Sequence, residues 1–327
     1  MPPPPTGPSI DAPPVDGPQP QTGRSPARWT RRRVLTFGAA TAAAVTVAGA
    51  AGIELISHQV LPGKRLLDQL DGACSVAAAP ISSSTPGPQV SGSFYSQARK
   101  RNVGYTIAYP PGHHPGDSLP LIVTLHGYGG NHINALDGTT PARALAFRPD
   151  DRPLPPMAMV TVDGGGGYWN PHPGDNPMAM VTDELIPMCQ LLRLGQPPQP
   201  IATMGISMGG YGAILLAERF PHLINAVAAI SPAIWTSYTQ ARNANPGAYA
   251  TAVDFAADDA ITLTAALKDT AIRVAIGNDD PFHPGVVALA RVLPPQAVLV
   301  YSHGCHTSPF FRSQQPPSLH FLGQQIT

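Results

Sequence analysis

The run Gly205-Ile206-Ser207-Met208-Gly209 limits what this chain can fold into more than any other feature. An apolar stretch, Ile201-Ala202-Thr203-Met204, leads into it, and a helix-like stretch follows from Gly210 to Phe220. A G-x-S-x-G run between a strand and a helix is a sharp turn that lifts a serine hydroxyl clear of a sheet. The flanking glycines lack Cβ atoms, so the backbone can bend that tightly. The same turn puts the Met208 N–H at a helix N-terminus, facing any negative charge that develops beside Ser207. The chain has 32 Gly in 327 residues, so the five-residue pattern alone could arise by chance. The strand before it and the helix after it are what give it weight.

The rest of the chain alternates strand-like and helix-like stretches. Residues 119–125 and 157–162 are continuous apolar runs. So are 201–204, 226–230, 272–276 and 297–301. Helical stretches are expected at 178–194, 286–293 and 318–325, and 103–109 alternates as an edge strand should. Residues after 230 open into a long polar insert. Continuous β-branched runs mark strands buried on both faces. The expected fold is therefore α/β, with a mostly parallel central sheet and helices on both faces. In such sheets, functional side chains gather beyond the carboxyl ends of the strands.

Ahead of this domain, residues 1–28 are rich in Pro, Gly, Asp and Gln and read as a disordered tail. Thr30-Arg31-Arg32-Arg33-Val34-Leu35-Thr36 resembles a twin-arginine signal, and an Ala/Gly/Thr-rich apolar run follows it. Residues 29–56 are read as that signal, handled by the twin-arginine export machinery. Residues 34–56 are also long enough to stay as a membrane anchor. In both cases the C-terminal part leaves the cytoplasm. Residues 57–92 read as a connector, with a short amphipathic helix over 55–70 and a Pro/Ser/Gly-rich linker over 77–92. The compact catalytic domain is expected over 93–327. Charged residues make up 12% of the chain and the formal net charge is zero, which argues against a nucleic-acid partner.

A serine hydroxyl needs a base, and the base needs a partner that fixes its tautomer. In a sheet of this kind those partners follow the serine in the order acid, then histidine. Asp280 lies in Gly277-Asn278-Asp279-Asp280, just after one strand. His306 lies in His303-Gly304-Cys305-His306, just after the next. Asp279 and His303 compete for these roles, and the spacing favours Asp280 and His306. The second oxyanion donor is expected from Leu125-His126-Gly127-Tyr128-Gly129-Gly130, a Gly-rich loop directly after a strand. The Tyr128 N–H is assigned beside that of Met208, with His126 bracing the loop. His126, His132 and His172 lack the spacing of a metal site, and Gly164 to Gly167 lacks the lysine of a phosphate loop. Neither metal nor cofactor is therefore expected. Candidate pocket residues are Gly127, Tyr168, Trp169 and Trp235. The Gly164 to Gly167 run would form a flexible wall with Tyr168 and Trp169 over it, and Trp235 would form a lid or cap the core. Of the three cysteines, Cys189 and Cys305 belong at opposite ends of the sheet, which leaves Cys74 free to pair with either.

Taken together, the Ser207 turn, the His126-Gly127 loop, the Asp280 turn and the His306 loop resemble the esterase D and antigen 85 branch of the α/β-hydrolases. The likeness runs from about Ser93 to the C-terminus. Asp163-Gly164-Gly165-Gly166-Gly167-Tyr168-Trp169-Asn170-Pro171, followed by Asp183-Glu184-Leu185-Ile186-Pro187, is similar to an actinobacterial group of exported esterases. The resemblance implies a Ser207–Asp280–His306 triad with oxyanion donors at Tyr128 and Met208. It implies an acyl-enzyme on Ser207 and a small-molecule or lipid carboxylic ester as substrate. Asp137 and the Trp169 region have no catalytic counterpart in the named relatives, and the His126-Gly127 form departs from the oxyanion loops of both, so neither relative's substrate carries over. Acyl transfer to a cell-envelope sugar or lipid, as in the mycolyltransferases, would use the same residues. A catalytically silent wall-associated binding protein is the expectation from another class, and the complete triad speaks against it.

Overall fold

A computed structural model describes residues 72, 74–77 and 82–327. The expected tail, signal and amphipathic helix lie outside the described residues. Ten strands are described: β1 (Ser82–Ser83), β2 (Gln89–Ser96), β3 (Arg101–Ala108), β4 (Leu121–Leu125), β5 (Phe147–Arg148), β6 (Ala158–Val162), β7 (Ile201–Ile206), β8 (Ile224–Ile230), β9 (Ala271–Gly277) and β10 (Val298–Ser302). Eight of them form one sheet in the order β10-β9-β8-β7-β4-β6-β3-β2. From β10 to β6 every pairing is parallel, while β3 runs antiparallel to β6 and to β2. β4, β6 and β7 are buried along their whole length, as continuous apolar runs require.

Two expectations change here. Residues 103–109 do not form an edge strand, because β2 pairs along the full length of β3 and takes the edge itself. The Pro/Ser/Gly-rich stretch expected as linker contributes the start of β2. It also supplies β1, which pairs antiparallel with β5. The fold therefore begins before residue 93. Pro and Gly suggested a linker, but an edge strand needs only half its backbone groups paired and tolerates such residues.

Helices cover both faces. They are α1 (Pro141–Leu145), α2 (residues 177–191), α3 (Met208–Arg219), α4 (Tyr238–Ala244), α5 (Ala252–Ala257), α6 (His283–Ala290) and α7 (Ser308–Ile326). α2 contains a π-helical stretch at Met180–Leu185, just before Pro187, whose missing N–H breaks the regular ladder. α3 is buried on nearly every side and packs Ile214, Leu215 and Leu216 into the core on one face of the sheet. α7 packs Phe310, Leu319 and Leu322 into the core on the other face, with Leu145 of α1. α7 starts ten residues earlier than the expected helix and runs through Pro316 and Pro317. Tertiary bonds hold it there. Arg273 of β9 donates to Ser318 Oγ at 2.8 Å and Gln314 Oε1 at 2.9 Å, and Gln315 Nε2 donates to the Leu136 carbonyl at 2.8 Å. The polar insert after β8 holds α4 and α5.

Candidate active site

Ser207 follows β7 and stands at the N-cap of α3 with φ 57° and ψ −120°, a backbone conformation that non-glycine residues rarely adopt. Strain of this kind persists only where neighbours over-determine the turn. The Ser207 N–H donates to the Ile230 carbonyl at 2.9 Å, and its carbonyl accepts from Ala233 at 3.0 Å and Tyr211 at 3.1 Å. The glycines on either side are there for clearance. A side chain on Gly209 would run into the Leu125 carbonyl, and one on Gly205 into that of Gly209.

His306 arrives in the loop between β10 and α7, and Asp280 in the turn after β9. The two loops touch: the Asp279 N–H donates to the Gly304 carbonyl at 3.1 Å, and a side chain on Gly277 would strike the same carbonyl. Asp280 is 3% exposed. Its Oδ1 accepts the Phe282 N–H at 2.9 Å, and its Oδ2 accepts from His306 Nδ1 at 2.8 Å. With Nδ1 donating, Nε2 is left to accept, and it lies 2.8 Å from Ser207 Oγ. Rings hold the imidazole edge-on from two sides, Phe282 at 5.1 Å and Phe311 at 4.9 Å between centroids. The competing histidine, His303, is exposed and donates from Nε2 to the Gly72 carbonyl at 3.1 Å.

The loop after β4 lies against this turn. A Cβ on Gly127 would sit 3.3 Å from the Ile206 carbonyl and 3.6 Å from Ser207 Cβ. His126 is fully buried and bridges two segments. Its Nδ1 donates to the Gly127 carbonyl at 2.7 Å and its Nε2 accepts the Gly164 N–H at 2.8 Å. Burial holds its pKa below the ordinary value, so it stays neutral in the one tautomer this arrangement permits. Met208 opens α3, so its N–H has no partner within the helix. Tyr128, two residues after His126, stands with Ser207 in the wall of one opening.

A cavity of about 450 Å³ opens over Ser207, with Gly127, Tyr128, Asp137, His306 and Phe311 among its walls. Three expected pocket residues are not there. Trp169 is 1% exposed and packs on His126 at 5.0 Å, and its ring fills the space that side chains on Gly164 and Gly212 would take. Tyr168 is buried against Tyr211 and Tyr249. Trp235 stacks edge-on against Phe282 at 4.7 Å, behind the Asp280 turn. All three brace the site without lining it. The Gly164 to Gly167 run is glycine for close packing against Trp169, Arg99, Tyr128 and His172. Phe311 and Asp137 line the cavity in addition to the residues expected from the sequence. Asp137 has φ 50° and a buried Oδ2 with no partner. A Phe pair opening a helix directly after the His306 loop was the available signal for Phe311. Cys305, next to His306, is disulfide-bonded to Cys74, and Cys189 is a buried free thiol whose pKa burial pushes up to about 12.

The family model described as "Putative esterase" matches residues 96–300. The chain belongs to that family. It is a carboxylic ester hydrolase of the serine type, built on an α/β-hydrolase fold. Similar solved structures include a ferulic acid esterase, at 18% identity with a TM-score of 0.61, covering 73% of this chain and 99% of that one. An S-formylglutathione hydrolase from Agrobacterium tumefaciens is 17% identical, with a TM-score of 0.59 and coverage of 76% and 98%. Mycobacterium tuberculosis MPT51 (FbpC1) is 15% identical, with a TM-score of 0.57 and coverage of 76% and 100%. At these identities the likeness speaks for the fold. No curated protein matches the chain in sequence.

Proposed function

We propose that this esterase works through an acyl-enzyme on Ser207, with His306 as base and then acid, Asp280 as the group that holds the imidazole, and the Tyr128 and Met208 N–H groups as oxyanion donors. The observation that carries the reading is the unbroken relay from Asp280 Oδ2 through His306 to Ser207 Oγ, with both bonds at 2.8 Å. His306 takes the Ser207 proton as Oγ attacks the ester carbonyl, and the oxygen that becomes negative turns towards the two N–H groups. His306 returns the proton to the departing alkoxide. Water then repeats the sequence on the acyl-enzyme. Activity outside the cytoplasm is part of the proposal. The Arg31-Arg32-Arg33 signal-like segment and the following apolar run support it, with residues 34–56 as either signal or anchor. So does the Cys74–Cys305 disulfide, which an oxidising compartment preserves.

The test is a fluorophosphonate probe on the full chain, with the label located by peptide mass spectrometry and p-nitrophenyl esters assayed in parallel. A label on Ser207 with ester turnover is expected. A folded protein that takes no label would refute the reading and favour a silent scaffold. A label on Ser207 whose turnover requires an added sugar or lipid alcohol would move the assignment to acyl transfer.

A further inference from the structure

The triad accounts for the bond that breaks but not for a second cavity beside it. Residues 72 and 74–76 lie as a strap across the loop that carries His306. Three contacts fix the strap: the Cys74–Cys305 disulfide, the His303 bond to the Gly72 carbonyl at 3.1 Å, and Val76, which packs against the position a side chain on Gly304 would take. Between strap and loop lies a cavity of about 580 Å³, walled by Cys74, Ser75, His306, Thr307, Pro309 and Phe311. It shares His306 and Phe311 with the cavity over Ser207 and touches neither Ser207 nor the Gly127 loop. Both strap and loop fall outside the 96–300 segment matched by the family.

We infer that this cavity is the subsite for the departing alcohol, with the disulfide-anchored strap as its outer wall. The inference rests on the triad proposed above. As the tetrahedral adduct collapses, the bond from the carbonyl carbon to the alkoxy oxygen breaks. The proton on His306 Nε2 passes to that oxygen, and the alcohol leaves neutral. The alkoxy oxygen must therefore lie on the imidazole side of Ser207, while the carbonyl oxygen lies on the side of the Tyr128 and Met208 N–H groups. The cavity that meets His306 without meeting the oxyanion loop is the one under the strap. The cavity over Ser207 is left for the acyl chain.

The walls also define the alcohol. Among the described residues, no Asp, Glu, Lys or Arg lines this cavity. Ser75 and Ser308 bring hydroxyls, and Phe311 and Pro309 bring apolar surface. The subsite fits an uncharged alcohol with an apolar face and at least one further hydroxyl.

The test uses the full chain and its Ser75→Trp variant. Ser75 is exposed on the strap, so a larger side chain there narrows the cavity from outside without entering the core. kcat/KM is measured for methyl, benzyl and glyceryl esters of butyric acid, then for methyl esters of acetic, butyric and octanoic acid. In the variant, the benzyl-to-methyl and glyceryl-to-methyl ratios should fall at least tenfold, while the ratios along the acyl series hold. A Cys74→Ala/Cys305→Ala variant, which releases the strap, should flatten the wild-type preference among alcohols. Equal change across all alcohols in Ser75→Trp, or a change in the acyl series instead, would overturn the subsite assignment. Wild-type turnover of methyl butyrate that survives Ser207→Ala would instead overturn the triad, so the two failures can be told apart.

Discussion

Glu218 gives the sharpest test of the packing argument. It lies in α3, the helix that Ser207 begins, and is 6% exposed with neither carboxyl oxygen hydrogen-bonded. Neighbouring Arg219 is directed to Asp258 at 2.6 Å. Burial first, and then the charge of Asp259, raises the Glu218 pKa from 4.5 to about 9. A negative charge near the C-terminal end of a helix is also opposed by the helix dipole. The folded state therefore holds a proton that the unfolded chain releases near pH 4.5. Stability from this group is complete below that pH and is lost as the pH climbs towards 9. Each pH unit is worth about 1.4 kcal/mol, so the loss at pH 7 is on the order of 3 kcal/mol. Glu218→Gln keeps the shape and cannot ionise. Its stability should match wild type near pH 4.5 and exceed it by roughly 3 kcal/mol at pH 7. In urea titrations across this range, that is a midpoint about 1 M higher at pH 7 if m is about 3 kcal/mol/M. A variant that is less stable than wild type at pH 7, or a difference that does not change with pH, would show that Glu218 is ionised and paired.

Ser207→Ala should lower turnover by about 10³-fold or more while leaving the thermal melt unchanged or higher, since it removes the nucleophile and no packing; activity near wild type would remove Ser207 from the mechanism. Asp280→Asn should lower kcat by about 10⁴-fold, because an amide at Oδ2 can favour the wrong His306 tautomer. Asp279→Asn should cost less than tenfold, and the opposite ranking would shift the acid by one position. Gly209→Ala should destabilise by about 3 kcal/mol or more, seen as a lowered melting temperature, because its Cβ meets the Leu125 carbonyl. Reducing the Cys74–Cys305 disulfide, which closes a separation of 231 residues, should lower stability by about 2–5 kcal/mol in urea unfolding.

The sheet was legible because its signal is local. β4, β6 and β7 are unbroken apolar runs, and an unbroken run has few outcomes other than burial on both faces. Elements that depend on partners far along the chain are not legible in this way. β3 looked like an edge because its alternation says nothing of β2 covering it. The first turns of α7 were hidden by two prolines, and the bonds that hold the helix come from Arg273 and Leu136. Propensity yields in such places to contacts that a linear pattern cannot display.

The site divides along the same line. The juxtaposition of Ser207, Asp280 and His306 was legible because each sits just past a strand end, and the parallel sheet brings such ends together whatever the details of packing. Tyr168, Trp169 and Trp235 could not be judged that way. An aromatic beside glycines may wall a pocket or fill the space the glycines leave, and the two cases share a sequence pattern. Here Gly164 and Gly212 are small because the Trp169 ring lies against them, and that ring packs on His126, which holds the Gly127 loop. The glycines and the tryptophan are one device, acting on the Gly127 loop from beneath. The strap is its counterpart on the imidazole side. It acts from the stretch read as connector, just ahead of the linker, through a disulfide that pairs residues 231 apart in the chain. Each side of Ser207 is thus set by a segment that contributes no group to the relay.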